Sequence, residues 1–246
     1  MKFRTDGLII KEMNIGEQDK LVHVLTKSHG VVGAFAKGAK NIKNQKCAPS
    51  SLLSYSQLTL YKGRDSYTVG DARVLRTFSG LRSDIKKMCL AQYFCELALT
   101  ICPREQPAEP FLRLMLNSLY LLSENKRQPE LVKPCLEMRM TAMAGYLPDL
   151  RMCSVCGEYT APQMFFLPRR GALECSSCHK SSDDAVLLSE AALRALRHTV
   201  YADDDKLFSF ALSDEGLQML NRASESYIQY RFEKEFKTLV LYKTIA

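Results

Sequence analysis

Two pairs of cysteines constrain the fold of this chain more than any other feature of its sequence. Cys153 and Cys156 are separated by two residues, eighteen residues follow, and Cys175 and Cys178 repeat the same spacing. This pattern is typical of structural zinc sites, in which each pair of thiolates lies on a tight turn about 2.3 Å from the metal. The sequence therefore predicts a hairpin that holds one Zn²⁺ between its cysteine pairs. Four protein ligands leave no open coordination position, which indicates a structural metal.

The other cysteines indicate the cellular compartment. Five are scattered without paired spacing, which favours reduced, buried thiols: Cys47, Cys89, Cys95, Cys102 and Cys135. A thioredoxin-like dithiol needs one Cys-x-x-Cys that opens a helix in a βαβ unit, and two pairs in a turn-rich segment argue against it. We interpret His179, which follows Cys178, as a bystander of the metal site, with a substitute metal ligand as the alternative. The first residues contain only a short apolar run, so we expect a cytoplasmic protein without a signal peptide.

Positive charge is concentrated in the first third of the chain. The net charge is +7, and residues 1–80 contain 13 Lys and Arg against 6 Asp and Glu. This segment accounts for the entire surplus, because the remaining residues contain 21 of each sign. Localised basic surface is typical of proteins that bind nucleic acids. The sequence predicts a polyanion-binding domain followed by a neutral one, and charge that serves only solubility is the alternative.

The most basic stretch runs from Gly33 to Lys46 and contains no acidic residue. Its four lysines recur at every third position, at Lys37, Lys40, Lys43 and Lys46. A helix would distribute them around half of its surface, and the flanking Gly and Asn residues favour turns, so we predict a basic loop. Gly33 and Gly38 have the spacing of a phosphate-binding P-loop, but Ala39 and Lys40 stand where that motif needs Lys and then Ser or Thr. The alternative to a phosphate-contacting loop is a solvated loop without a partner.

Short apolar and alternating runs between Gly7 and Phe78 predict five β-strands. They are GLIIKEMNI, DKLVHVLT, GVVGAFAKG, SQLTLYKG and SYTVGDARVL, with a tight hairpin at YKGRDSY. Five short strands fit an OB-type barrel, which binds single-stranded nucleic acid through a basic groove and stacking aromatic side chains. Lys62 and Arg64 on the hairpin are candidate DNA contacts. The candidate aromatic residues, which small barrels also use to fill their interiors, are Phe35, Tyr55, Tyr61 and Tyr67.

The hydrophobic spacing becomes helical after Gly80. It predicts helices over residues 84–102, 109–125 and 130–148, with Pro134 in the first turn or at a kink of the third. Beyond the cysteines, one helix begins after Ser189 as N-cap and another covers residues 214–242. We interpret the acidic run Asp203 to Asp205 as an exposed turn, with a divalent-cation site as the alternative.

These patterns predict a multidomain α+β protein with an OB-type barrel, an all-α helical domain and an inserted four-cysteine zinc-binding hairpin. The predicted parts are a nucleic-acid-binding domain at 1–80, a helical domain at 81–150 and 183–246, and the zinc-binding insertion at 151–182.

The order of these parts resembles the RecO family of bacterial recombination mediators over nearly the whole chain. The resemblance rests on Gly16-Glu17-x-Asp19 and the Ala-Lys-Gly-Ala run that begins at Ala36, with LRMCSVCGE, FFLPRRGALECSSC and YIQYRFEKEFKTLVLY. It implies an OB-fold domain, a helical domain interrupted by a zinc-binding insertion, and no catalysis of bond changes. Some members of the family lack the cysteines, which implies a structural role for the zinc.

The resemblance also implies a role in DNA repair and recombination. RecO-like proteins bind single- and double-stranded DNA, anneal complementary strands coated by single-stranded-DNA-binding protein, and act with RecR to load RecA. Annealing requires cations on the backbone and free bases. We therefore expect phosphate contacts at Lys37, Lys40, Lys43, Lys46, Lys62 and Arg64.

The helical domain is the expected site for the C-terminal tail of single-stranded-DNA-binding protein. Most of its apolar residues should nevertheless form the core, among them Leu112, Met115, Leu119 and Leu122. A zinc-ribbon adaptor that mainly recruits other proteins is the alternative function. A hydrolase is not supported, because no constellation of Ser, Cys or carboxylate residues suggests one and a fully liganded zinc cannot activate water.

Overall fold

The computed structural model describes residues 2–64, 66–180 and 184–245, and its first five strands form a closed barrel. The strands are β1 (Lys2–Ile15), β2 (Asp19–Thr26), β3 (Gly30–Ala36), β4 (Tyr55–Lys62) and β5 (Tyr67–Arg76). Their order around the barrel is β1-β2-β3-β5-β4, and a short parallel contact between β3 and β5 closes it. This is the topology of the OB fold, and the predicted fold class is confirmed.

The first strand is longer than predicted. It begins at Lys2 instead of Gly7, its first half pairs with β4, and its second half pairs with β2. The two pairings overlap at Gly7 and Leu8, so one strand serves two sides of the barrel, and a register shift between Ile9 and Lys11 interrupts the pairing with β2. The barrel core consists mainly of small and β-branched side chains, which suits the interior of a narrow barrel.

Seven helices follow among the described residues. They are α1 (Ser79–Arg82), α2 (Ile85–Ile101), α3 (Glu109–Ser123), α4 (Pro129–Met143), α5 (Glu190–Tyr201), α6 (Asp214–Phe232) and α7 (Lys237–Ile245). Ser189 is the N-cap of α5, as predicted, and its hydroxyl accepts a hydrogen bond from Ala192 N. The helix predicted over 214–242 is in fact two helices, because Glu233 adopts a left-handed conformation with φ of 45°. None of the described helices is long and apolar enough to span a membrane.

The chain forms two compact units, and the first contains the barrel. It consists of Met1–Lys126 with Phe236–Ala246, so α1, α2, α3 and α7 belong to the same unit as β1 to β5. Leu112, Met115, Leu119 and Leu122 are buried there, as expected of core residues. Helix α7 packs on α2, where the Phe236 and Tyr93 ring centroids lie 5.7 Å apart.

The second unit is Arg127–Glu235 and contains the cysteine pairs. Its sheet has the order β6-β8-β7-β9, with β6 (Asp149–Cys153), β7 (Met164–Leu167), β8 (Ala172–Cys175) and β9 (Val186–Leu188). The buried faces of α4, α5 and α6 complete one hydrophobic core with this sheet. The domain boundaries proposed from the sequence stay predictions, and the one between residues 182 and 183 lies outside the described residues.

Pro134 lies inside α4, which begins at Pro129, so the first-turn alternative was wrong and a position inside the helix is the one observed. Because proline has no N–H, the carbonyl of Glu130 loses its helical hydrogen bond. The Asn221 side chain of α6 replaces that donor at 2.6 Å. A proline in this helix is therefore compensated by an amide from a neighbouring helix.

Candidate nucleic-acid interface and metal centre

Residues 37–54, here called the basic loop, connect β3 to β4 through a series of turns. Two asparagines build these turns, because Asn41 Oδ1 accepts from Lys43 N at 3.0 Å and Asn44 Oδ1 accepts from Lys46 N at 2.9 Å. Such Asx turns offer the backbone an alternative to a regular helix. The P-loop alternative also needs a helix after the glycines, and here they are followed by turns.

The basic loop is fastened to the turn between β1 and β2. Asp19 Oδ1 accepts from Gly38 N at 2.8 Å, and Lys40 Nζ donates to Gly16 O at 2.9 Å. Ala39 is fully buried in the barrel core and anchors the beginning of the loop. The two N-terminal motifs used for the family resemblance therefore contact each other in space.

The four loop lysines are not equivalent. Lys40 Nζ is bonded to Gly16 O, and Lys46 Nζ donates to Val69 O at 3.1 Å. Lys37 and Lys43 are exposed. Two of the four ammonium groups thus stabilise the loop, whereas the other two face solvent where a phosphate can reach them.

The hairpin candidates also differ. Lys62 Nζ lies 3.0 Å from Glu105 Oε2, to which Tyr67 Oη donates at 2.6 Å. The hydrogen bonds from Tyr67 and then Lys62 lower the pKa of Glu105, which keeps this carboxylate charged beside Lys62. Arg64 is exposed. To bind a phosphate, Lys62 would have to release the Glu105 carboxylate. Arg64 does not pair with Glu105 and would not have to release it.

The aromatic candidates are divided between the core and the surface. Tyr67 is 4% exposed and belongs to the barrel core, while Phe35 and Tyr55 are half-buried. Tyr61 is 43% exposed. Tyr61 is therefore the candidate whose ring offers the most surface to a ligand.

The four predicted metal ligands come together in the second unit. The sulfur atoms of Cys153, Cys156, Cys175 and Cys178 all lie within 4.8 Å of one another, and those of Cys156 and Cys175 are 3.7 Å apart. Sulfur ligands about 2.3 Å from a tetrahedral zinc lie about 3.8 Å apart, so the cluster has the dimensions of such a site. His179 is not part of this sulfur cluster. Its Nδ1 lies 3.1 Å from Glu174 Oε2, and its ring stacks on Phe165 at 4.2 Å.

Backbone N–H groups favour the thiolate form of Cys153, which is the form that binds a metal. Burial alone would raise the pKa of Cys153, but N–H groups of Cys156, Cys175 and Val155 hold that pKa at about 6. Contacts with the sulfurs of Cys156 and Cys175 raise the pKa of Cys178 to about 12. Four neighbouring thiols cannot all ionise without a cation among them, so a dication suits this cluster.

Arg197 supports the metal centre, and the sequence analysis did not identify it. Its guanidinium donates to Leu150 O at 2.7 Å, Arg151 O at 3.0 Å and Tyr159 O at 2.7 Å. It also lies over the Tyr159 ring, 4.1 Å from the centroid. One buried cation of α5 thus fastens both ends of the segment that carries Cys153 and Cys156. An arginine within an apolar helical face was the available signal, but its partners are separated from it in sequence.

Two further charged segments, the β7–β8 turn and the acidic run, form ion pairs. Arg169 and Arg170 lie at the turn between β7 and β8, and Arg170 pairs with Glu174 at 2.8 Å. In the acidic run, Asp203 pairs with Lys206 at 2.9 Å and Asp204 with Arg139 at 3.2 Å. Each of these two carboxylates therefore faces a different cation.

Comparison with known proteins covers both units. A family model described as "Recombination protein O N terminal" matches residues 1–78, and one described as "Recombination protein O C terminal" matches residues 82–239. A DNA repair protein RecO from Acetivibrio thermocellus is 34% identical over 98% of this chain and 96% of the relative. Proteins of the same name from Symbiobacterium thermophilum and Dehalococcoides mccartyi are 31% and 29% identical, over 96% and 97% of this chain and 94% of each relative.

Proposed function

Because this chain belongs to the RecO family of DNA repair proteins, we propose that it is a DNA-binding recombination mediator. It binds single- and double-stranded DNA, anneals complementary strands, and helps to load RecA onto DNA coated by single-stranded-DNA-binding protein. The observation that carries the proposal is the OB barrel with a basic loop whose exposed lysines face solvent. Two strands repel each other until backbone cations neutralise them, and phosphate contacts leave their bases free to pair.

This role needs no enzymatic step. Burial raises the pKa of the Cys95 thiol to about 12 and raises the pKa values of Cys102 and Cys135 as well, which makes all three poor nucleophiles. Four sulfur ligands would leave a bound metal without an open position for water. The chain therefore acts by binding and positioning DNA and protein partners.

The exposed lysines provide the first test of DNA binding. In Lys37→Gln/Lys43→Gln, the slope of log affinity for a thymidine oligonucleotide against log salt should fall by about 1.4, which is two phosphates at about 0.7 each. The control Lys126→Gln/Lys206→Gln has the same net charge and should keep the wild-type slope. A wild-type slope in the loop variant would show that these lysines are only solvated.

An annealing assay separates the mediator from the adaptor. The wild type should accelerate pairing of complementary strands without nucleotide, and Lys37→Gln/Lys43→Gln should lose much of that acceleration. An adaptor would bind protein partners and leave the pairing rate unchanged.

The proposed protein partners are RecR and the C-terminal tail of single-stranded-DNA-binding protein, and RecA is engaged indirectly. The apolar residues of α3 considered for the tail are buried, so the tail must use other side chains. The full-length chain is the suitable test protein, because α2, α3 and α7 share a unit with the barrel. A fluorescent tail peptide should bind it, and a peptide with scrambled sequence should not.

The metal is proposed to be Zn²⁺, since an all-sulfur tetrahedral set is typical of this ion. Elemental analysis of freshly purified protein should find one zinc per chain, and Cys178→Ser should lose it. DNA binding should survive that substitution at least in part, because the basic loop lies in the other unit. A metal-free wild-type protein would contradict the assignment.

A further inference from the structure

The outer face of β1, β4 and β5 contains a groove that lies outside the basic loop. It has a volume of about 580 Å³, and its lining includes Lys2, Arg4, Gln57, Thr59, Asp71 and Arg73. Strand pairing brings these residues together, because Arg4 is opposite Thr59 and Gln57 is opposite Arg73. The cations of the groove are thus fixed by sheet register.

A bulge in β5 shapes this groove. Leu58 pairs with Ala72 and Leu60 with Val69, so β5 contains one more residue than β4 between these pairs. Such an insertion bends a strand and redirects its side chains. Gly70 lies within the bulge, and a Cβ at this position would clash with the Tyr61 ring. The glycine therefore allows the ring to lie against the strand.

Tyr61 provides an aromatic surface close to the cations. It is 43% exposed, it is opposite Lys2 in the sheet, and Lys2 Nζ lies 5.5 Å from its ring centroid. A flexible lysine beside an exposed ring can move to a phosphate while the ring stacks on a base. This combination of cation and aromatic surface is typical of proteins that bind single strands.

The charge of the groove favours a polyanion. Among the described residues, Lys2, Arg4 and Arg73 form no ion pair, and Arg4 donates to the neutral amide of Gln57. Asp71 is the acidic residue of the lining, so three cations face one carboxylate. The cations would also attract an acidic peptide. An unpaired base can in addition stack on the exposed Tyr61 ring, which favours a single strand.

We propose that this groove binds single-stranded nucleic acid, with Lys2, Arg4 and Arg73 contacting phosphates and Tyr61 stacking on an unpaired base. The proposal rests on the DNA-binding function proposed above and adds a contact surface distinct from the loop lysines.

The cations are tested in the full-length chain with Arg4→Gln/Arg73→Gln and a fluorescent thymidine oligonucleotide. The salt slope should fall by about 1.4, from two phosphates at about 0.7 each, while Lys126→Gln/Lys206→Gln keeps the wild-type slope. A wild-type slope in the groove variant would overturn the proposal. Failure of the wild-type protein to bind the oligonucleotide would instead overturn the proposed function.

The stacking contact is tested with Tyr61→Leu. Affinity for the single strand should fall by roughly 5- to 150-fold, the range given by about 1 to 3 kcal/mol per stacked base, with no change in salt slope. Affinity for a duplex should not change, because its bases are already stacked. Equal losses on strand and duplex would overturn the stacking role. A glutamate-rich peptide tests the alternative ligand. If Arg4→Gln/Arg73→Gln no longer binds this peptide but still binds the single strand, the groove is a protein-binding site and the proposal is wrong.

Discussion

At the scale of single residues, the basic loop shows how the same residue type takes different roles. The sequence predicts four equivalent lysines, whereas Lys40 and Lys46 bond to carbonyl groups and Lys37 and Lys43 face solvent. The carbonyl partners are Gly16 and Val69, which are more than twenty residues away along the chain. Regular spacing predicts the loop and its charge, but it contains no information about such distant acceptors.

Ile42, which lies between the loop lysines, gives a prediction about apolar contacts. Its side chain is 90% exposed, so a strand bound at the neighbouring Lys43 could cover it. Ile42→Gln should reduce affinity for a single strand about tenfold or more, since burying such a side chain is worth roughly 1.5 to 3 kcal/mol. The salt slope should stay unchanged because no phosphate contact is lost.

The matched control for Ile42 is Ile85→Gln at the start of α2, where the side chain is 68% exposed. Both variants should unfold at the wild-type temperature, and only the loop variant should bind the strand more weakly. Equal affinity of the two variants would show that Ile42 does not contact DNA.

At the scale of elements, local sequence predicts well whether a segment is a helix or a strand. It predicts poorly which distant side chain replaces a missing backbone hydrogen bond. The five strands, the N-cap at Ser189 and the cysteine hairpin follow from alternation, capping and spacing. The hydrogen bond from the Asn221 amide to Glu130 O, beside Pro134, cannot be predicted in this way. Predicting it requires knowledge of which helices are neighbours. The first-turn alternative for Pro134 was wrong because Pro129 already provides the helix start.

The support of the metal centre by Arg197 leads to an element-scale prediction. Arg197→Met removes three hydrogen bonds to the carbonyls of Leu150, Arg151 and Tyr159, and we expect a loss of roughly 3 kcal/mol in the free energy of unfolding. The segment with Cys153 and Cys156 should then open more often, so a chelator should remove the metal faster. The rate of metal release to a coloured chelator measures this effect.

The control for Arg197 lies on the same helix. Arg194 has a side chain that is 74% exposed and pairs with Glu190, so Arg194→Met should release metal at the wild-type rate. Similar release rates in both variants would show that Arg197 does not hold the cysteine segment in place.

At the scale of the whole molecule, the chain returns to its first unit at the end. Glu233 ends α6 in a left-handed conformation, and α7 joins the barrel unit from Phe236 onward. The sequence does not reveal this break, because Glu233, Lys234 and Glu235 are ordinary helix formers and no Gly or Pro marks the end. Hydrophobic spacing alone therefore predicts one long helix where the structure has two, in different units.

The last helix should consequently control the stability of the barrel unit. Leu239 and Tyr242 are buried where α7 packs on α2. Leu239→Ala/Tyr242→Ala should lower the free energy of unfolding of this unit by roughly 5 to 10 kcal/mol, from about 2 to 5 for the leucine and 3 to 5 for the aromatic residue. That loss is comparable with the whole stability of a typical domain, about 5 to 15 kcal/mol.

The matched control changes the exposed side of the same helix. Val240 and Leu241 are 48% and 47% exposed, so Val240→Ala/Leu241→Ala should unfold close to the wild-type denaturant midpoint. The buried pair should abolish strand binding at a temperature where the control still binds, because the basic loop belongs to the unit that α7 completes. Metal content should stay at the wild-type value in both variants, since the four cysteines and the core around them belong to the other unit. Loss of metal together with strand binding would show that the two units do not unfold separately.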